Sequence, residues 1–270
     1  MKKLNTYINE KLVLNKNTFK QSIPKYFPGN KTELADVITE LYDENNKKVD
    51  FDIIDVSKIK SFTYLFSDDN LKSIASSLTV IDLSSWDLSN ATDIHGMLAN
   101  CKNTTDIYLP LKLNDKLEDM SFLFHGCEKL KNIHNLEYLH TDKVTTFENM
   151  FALCQSLEIL DVSTFKTDKL QVAADMFSHC YNLIEIKGLQ SWNCEYLNDM
   201  ENMFCWDESL EHIGDISGWK PKLIKTMKQM FYYCRVLKDV VDLRSWKISP
   251  NVTEITNWNA NVSDRKNFKL

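Results

Sequence analysis

An apolar pair recurs down most of the chain: Leu65-Phe66, Met97-Leu98, Leu123-Phe124, Met150-Phe151, Met176-Phe177, Met203-Phe204 and Met230-Phe231. The first members are separated by 32, 26, 27, 26, 27 and 27 residues. Other positions keep phase with the pair. Three residues before it stand Phe62, Ile94, Met120, Phe147, Ala173, Met200 and Met227. Four after its first member stand Cys101, Cys127, Cys154, Cys180 and Cys234, with Asp69 and Asp207 in the other two units. Seven after come Leu130, Leu157, Leu183, Leu210 and Leu237, and ten after come Ile107, Ile133, Leu160, Ile186, Ile213 and Val240. A unit this short cannot bury its own apolar face, so neighbouring units must stack, which predicts an α/β solenoid.

The offsets from -3 through 0, +1, +4 and +7 are those of a helix with one apolar stripe. Beyond them, Leu157 to Ser163 and Leu237 to Leu243 are short, rich in branched aliphatics and followed by polar turn formers, which predicts a strand. A bulky ring follows at Phe165, Trp192, Trp219 and Trp246, with Trp86 in that role in the longer first unit. Strands stack about 4.8 Å apart and helices about 8 to 10 Å, which predicts a parallel sheet on the concave side. Seven strands would span roughly 30 Å.

Composition narrows the function. The 270 residues are 43% hydrophobic and 26% charged, too apolar for a disordered chain. The net charge is -6, with no basic block to neutralise a row of phosphates, which argues against nucleic acid. No apolar run approaches the roughly 18 residues of a membrane helix, and Met1-Lys2-Lys3 leads into Leu4 to Glu10 where a signal peptide would be apolar. The expectation is a chain that stays in the bacterial cytoplasm or a virion and is neither exported nor inserted in a membrane.

The ends differ from the repeats. Residues 1-28 carry few apolar side chains and end in Pro24 and Pro28, as a tail or tether would. Asn30-Lys31-Thr32-Glu33 has a capping box, and Leu34, Val37, Ile38 and Leu41 follow at helical spacing, predicting a helix over about 31 to 44. Phe51 to Val56 then has the character of a strand, making residues 29-58 an N-terminal cap. Seven units over residues 59-253 follow, and polar residues 254-270 read as a C-terminal cap over an open sheet edge.

Met200-Glu201-Asn202-Met203-Phe204, Asp215-Ile216-Ser217-Gly218-Trp219 and Asp82-Leu83-Ser84-Ser85-Trp86 resemble the BspA-like leucine-rich repeats. Those have units of about 25 residues with a Met-x-x-Met-Phe-x-x-Cys helix, a Leu-x-x-Leu strand and an Asp-[Ile/Leu]-Ser-x-Trp turn. The resemblance covers residues 55 to 253 and implies a leucine-rich-repeat scaffold of surface proteins that bind host proteins or other bacteria. Glu33-Leu34 and Ile54-Asp55-Val56-Ser57 also resemble the cap ahead of such repeats. Tyr7 to Asn17 is similar to a short N-terminal element of crAss-like gut bacteriophage proteins, which implies a virion component or a factor acting inside an infected bacterium. This sequence lacks the export signal of the surface members, and Thr104, Lys166 to Lys169 and the 32-residue first step depart from the repeat.

Regular cysteines invite a metal or disulfide, but thiols on successive helices would sit 8 to 10 Å apart, beyond disulfide reach, and no Cys-x-x-Cys is present. Cys194 and Cys205 are out of phase and are the thiols to examine for exposure. In His125-Gly126-Cys127 and His179-Cys180 the cysteine is in core phase, so the histidine faces elsewhere and cannot activate it. Asp82, Asp161, Asp215 and Asp242 recur where a turn acid satisfies turn amides. Six glycines form no phosphate loop. No enzyme, metal or cofactor is expected.

If offset +10 enters the core, +9 and +11 face outward. That names Asp106, Asn132, Ile159, Glu185, His212 and Asp239, with Tyr108, His134, Asp161 and Lys187, as a partner-binding face; Gly214 and Val241 share its second register. The acidic bias predicts a protein partner with a basic, moderately polar surface, anchored at Tyr108, Ile159 and His212. The rival expectation is a structural, virion-associated protein docked through residues 1-28.

Overall fold

A computed structural model describes residues 24–239, 241–246, 248 and 268–269. The expected tail, save its last residues, most of the C-terminal cap and Val240 lie outside them. Helix α1, Lys31–Leu41, starts where the capping signal puts it: Asn30 accepts from the Glu33 amide at 3.0 Å, and Glu33 accepts from the Gly29 amide at 2.7 Å. It buries Leu34, Ala35 and Ile38. The cap strand expected over Phe51 to Val56 is instead a single 3-10 turn, Phe51–Ile53, followed by one parallel bridge from Ile54 to Tyr26. A short helix α2, Lys72–Ala75, fills the lengthened first unit.

The strands are short and parallel: β1 Val80–Asp82, β2 Asp87–Leu88, β3 Asp106–Tyr108, β4 Lys112–Leu113, β5 Asn132–His134, β6 Ile159–Asp161, β7 Glu185–Lys187, β8 Val241–Asp242 and β9 Phe268–Lys269. The pairings are β1-β3-β5, β2-β4, β6-β7 and β8-β9. In β1, β3, β6 and β7 the central residue is buried between two outward-facing neighbours. β9 pairs with β8 at Val241 and Phe268 in a two-stranded sheet of its own. The expected single sheet is broken, however, because β5 and β6 do not pair.

The larger correction concerns the segments at offsets -3 to +4, which are not helices. Backbone φ is positive at offset -1, in Tyr64, Gly96, Phe122, Asn149, Asp175, Asn202 and Gln229. It is positive again at +3, in Asn100, Gly126, Leu153, His179, Trp206 and Tyr233. A left-handed residue every four positions prevents a continuous i to i-4 ladder. Amides instead alternate. Met150 and Ala152 donate within their own unit to Phe147 and Asn149. Asn149, Phe151 and Leu153 donate to Ala174, Met176 and Ser178 of the next unit, each at 2.9 Å. Every main-chain donor of the turn is thereby satisfied, half of them between units.

Side chains stack in step with this ladder. Phe124, Phe151, Phe177, Phe204 and Phe231 lie nearly parallel, with centroids 5.3, 5.8, 5.5 and 5.0 Å apart. Phe165, Trp192, Trp219 and Trp246 form a second run at 6.5, 5.8 and 5.8 Å. Each of the three indoles donates to a carbonyl of the preceding unit: Val162, Leu189 and Ile216. Spacing on the turn side is thus near 5 Å and not the helical 8 to 10 Å, so unequal layer spacing gives no ground for a concave sheet.

Candidate functional site

The outward side chains of the strands form one face, in register across the paired strands. Val80, Asp106 and Asn132 are aligned, as are Asp82, Tyr108 and His134. Ile159 aligns with Glu185 and Asp161 with Lys187. Glu185 also bridges to His212. Val80 and Asp82 were missed by counting from the apolar pair, because the first step is longer. The Asp82-Leu83-Ser84-Ser85-Trp86 turn, matched to Asp161-Val162-Ser163-Thr164-Phe165, carries the signal that places them.

Local chemistry holds most of this face rigid. The Asp106 carboxylate accepts from Thr105 Oγ1 at 2.7 Å and Asn132 Nδ2 at 2.8 Å, with His134 Nε2 at 3.4 Å. These bonds, Thr105 first, hold its carboxyl below the usual carboxylate range. The Tyr108 and His134 rings stack with centroids 4.0 Å apart. Asp161 accepts from the Ser163 amide at 2.9 Å; the Ser163 side chain first, and then this amide, lower its acid range, and Asp82, Asp215 and Asp242 make the same turn contact with a main-chain amide. Asp239 does not point freely outward. Its Oδ2 accepts from the Ile213 and Gly214 amides at 2.7 and 2.8 Å, and its Oδ1 meets His212 Nδ1 at 3.2 Å. Lys187 and Glu185 approach at 3.7 Å on the surface.

The break between β5 and β6 divides these ten residues and creates a cleft of about 360 Å³. It brings together Asn132, His134, Ile159 and Asp161, and adds Lys131, Leu136 and Glu137, which strand alternation did not single out. Ile159 is 53% exposed there, whereas Leu160 beside it is buried. Ile133, the one central strand residue of the early units that is not fully buried, faces the same opening. One sequence signal coincides with the break. The Phe165-Trp192-Trp219-Trp246 run starts only after it, and the third unit has Tyr138, exposed, and Leu139, buried, where a packed ring would stand.

A wider cleft of about 810 Å³ near the end of the repeats is lined by Gly214, Asp215, Asp239 and Arg244, where Arg244 Nη2 reaches Asp242 at 2.6 Å. On the turn side two ring runs lie at the surface. Tyr64, His95, Phe122 and His125 form one, with Tyr64 Oη 3.0 Å from His95 Nε2. His179, Trp206 and Tyr233 form the other, with Arg235 4.5 Å over the Tyr233 ring.

All seven cysteines are free and buried, Cys194 and Cys205 included. The thiols of Cys127, Cys154, Cys180 and Cys234 donate to carbonyls of Leu98, Phe124, Phe151 and Phe204 at 3.2, 3.2, 3.1 and 2.8 Å. They form a ladder between hydrogen-bonded units, not the separated helical positions expected. Burial pushes the thiols of Cys101, Cys154, Cys180 and Cys234 well up. His125 packs on Phe122 and His179 bonds Ser178 Oγ at 2.6 Å, so neither is engaged with its neighbouring thiol. Among the described residues no three His, Cys, Asp or Glu are grouped to hold a metal, and no helix is long and apolar enough to cross a membrane.

A family model described as "Mycoplasma protein of unknown function, DUF285" matches residues 7–109, 113–186 and 183–269. The three matched segments take in Tyr7 to Asn17 together with the repeats. No curated protein matches the chain.

Proposed function

The chain belongs to the DUF285 family of Mycoplasma proteins of unknown function, and on that premise we propose that it is a non-enzymatic protein-binding module. In this reading the units form one leucine-rich-repeat solenoid of the BspA-like kind, and the outward strand face is the recognition surface. The observation that carries it is the cleft between β5 and β6, where Ile159 stands 53% exposed in a row of rigidly held polar side chains. An exposed aliphatic residue ringed by polar groups, at a place where ordered backbone edges meet, has the composition of a binding anchor with its rim. The acidic groups Asp82, Asp106, Asp161 and Glu185 supply a field that favours a basic partner.

The test is capture from native-organism lysate on immobilised full-length protein, beside a variant carrying Asp161→Lys and Glu185→Lys. A protein retained by the wild type and lost by the variant, with both equally folded by circular dichroism, supports the module. Equal retention by the two removes the strand face as the binding surface. Retention that depends on residues 1–28 and is indifferent to both substitutions favours the rival structural role.

A further inference from the structure

The parity of hydrogen bonding in β5 and β6 shows what the gap offers. In a parallel ladder alternate residues direct both main-chain groups to the same neighbour. Asn132 donates to Thr105, and His134 accepts from Leu109, so Asn132 and His134 face β3 and Ile133 faces the other way. Glu158 accepts from Glu185 and Val162 donates to Lys187, so Glu158, Leu160 and Val162 face β7, leaving Ile159 and Asp161 turned back toward β5. Among the described residues, no backbone hydrogen bond joins Ile133, Ile159 or Asp161 across the gap. Two strand edges with matching donors and acceptors therefore face one opening.

The opening is held and is not a frayed end. On the turn side of the same two units, Phe122, Phe124 and Gly126 donate to Glu148, Met150 and Ala152 at 2.9, 2.9 and 2.8 Å. Cys154 Sγ adds a bond to Phe124 O at 3.2 Å, and the Phe124 and Phe151 rings stack. The units are fastened along one side and parted along the other, over a floor that includes Leu136 and Leu157. Glu137 and Asp161 stand at its rim with Lys131, leaving an acidic excess.

We propose that this cleft binds an extended segment of a partner protein by strand addition, the segment carrying basic residues alternating with small aliphatic ones. This rests on the protein-binding reading and adds its mode. Main-chain bonds to Ile133, Ile159 and Asp161 hold the segment, its aliphatic side chains face inward onto Leu136 and Leu157, and its basic side chains face outward, their stems beside Ile159 and their charges toward Glu137 and Asp161. Strands of three residues match a core of about three to four peptide residues, roughly 10 Å of extended chain.

The experiment titrates full-length protein with a fluorescein-labelled peptide, Lys-Val-Lys-Val-Lys-Val-Lys. Its partners are the same peptide N-methylated at each valine and a Glu-Val counterpart. The expected result is saturable binding of the first, with amide exchange slowed at Ile133, Ile159 and Asp161 and unchanged at Asn132 and Leu160, which already face β3 and β7. The N-methylated peptide is expected to bind at least tenfold more weakly, the glutamate peptide more weakly still, and Ile159→Lys to cost about tenfold without loss of fold. Equal binding of the N-methylated peptide overturns strand addition in favour of charge attraction alone. Amides at Ile133, Ile159 and Asp161 that are already slow without peptide also overturn it, since the strands then pair in solution. Protection that grows with protein concentration alone assigns the cleft to a second copy and overturns the partner segment. If peptide binding fails while Asp161→Lys with Glu185→Lys still abolishes capture, the binding function stands and only its mode falls.

Discussion

The Asp207 carboxylate accepts a hydrogen bond from the Cys180 amide at 2.9 Å from inside the core, in the ladder position that Cys180 and Cys234 hold in the flanking units. The other acid at this offset, Asp69, is out in solvent against Lys72 at 2.7 Å. Asp207 is fully buried, and its second oxygen, Oδ2, has no hydrogen-bond partner. Burial pushes its acid range well up, opposed weakly by the Cys180 bond. That direction favours the neutral acid in the folded chain. The unfolded chain ionises this group at a pH of about 4, so stability falls as pH rises above that value toward the higher folded range. Asp207→Cys, which restores the thiol ladder, is expected to stabilise by about 1 to 3 kcal/mol at neutral pH and by less in acid. Urea unfolding of both proteins from pH 4.5 to 7.5 checks this; parallel pH profiles would show that Asp207 is ionised in the fold.

Trp219 links three units. Its ring lies 5.8 Å from both Trp192 and Trp246, and its indole donates to Leu189 O at 2.7 Å. Trp219→Ala opens a cavity and strands a buried carbonyl, at a cost of about 3 to 5 kcal/mol. The same substitution at exposed Tyr196 should cost little, and denaturant midpoints compare the two.

Gly188 carries φ +97°, and a Cβ built there falls 2.3 Å from Ser163 Cα and N. Backbone cannot yield as a side-chain tip does, so Gly188→Ala is expected to part β6 from β7 as well as add strain of about 1 to 3 kcal/mol. Faster amide exchange at Val162 and Glu185, with Ile107 unchanged, is the expected signature.

The thiols should be silent in the folded protein. Desolvation pushes Cys205 up to about 12 and Cys194 higher still, and all seven are buried. The thiolate is the reacting species. An aromatic disulfide reagent at pH 8 should release colour only as fast as the protein unfolds, and all seven thiols should react in denaturant.

Much of the core was readable because burial is periodic: Met176, Phe177, Cys180 and Leu183 are all fully buried, as their spacing required. The backbone that produces that spacing was not. Buried positions at -3, 0, +1 and +4 suit a helical stripe, and they equally suit a square turn that points inward every third or fourth residue. The turn does leave a mark, in Gly96, Gly126, Asn100, Asn149 and Asn202 at the left-handed positions, residues that accept positive φ. Phe122, Leu153, Trp206 and Tyr233 at the same positions obscure it. Alternation accounts for the outward side chains of β3, β6 and β7, but not for Asp239, whose carboxylate is held by the Ile213 and Gly214 amides. Nor does it account for the cleft, which arises from a missing ladder between two units whose spacing, 27 residues, is regular.

That ambiguity can be decided by a single glycine. Gln229 sits at offset -1 of the last repeat with φ +55°. In a helix interior, glycine is about 1 kcal/mol worse than a helix-forming residue. At a left-handed position the sign reverses, because a side chain there costs roughly 1 to 2 kcal/mol that glycine avoids. Part of that gain is lost to the greater freedom of glycine in the unfolded chain. Gln229→Gly is therefore expected to leave stability unchanged or raise it by up to about 1 kcal/mol, as read by thermal and urea unfolding. A loss of about 1 kcal/mol or more would restore the helix. It would also move neighbouring units apart on the turn side, because the inter-unit amide bonds from Asn202, Phe204 and Trp206 to Lys228, Met230 and Tyr232 exist only when alternate donors are released from their own turn.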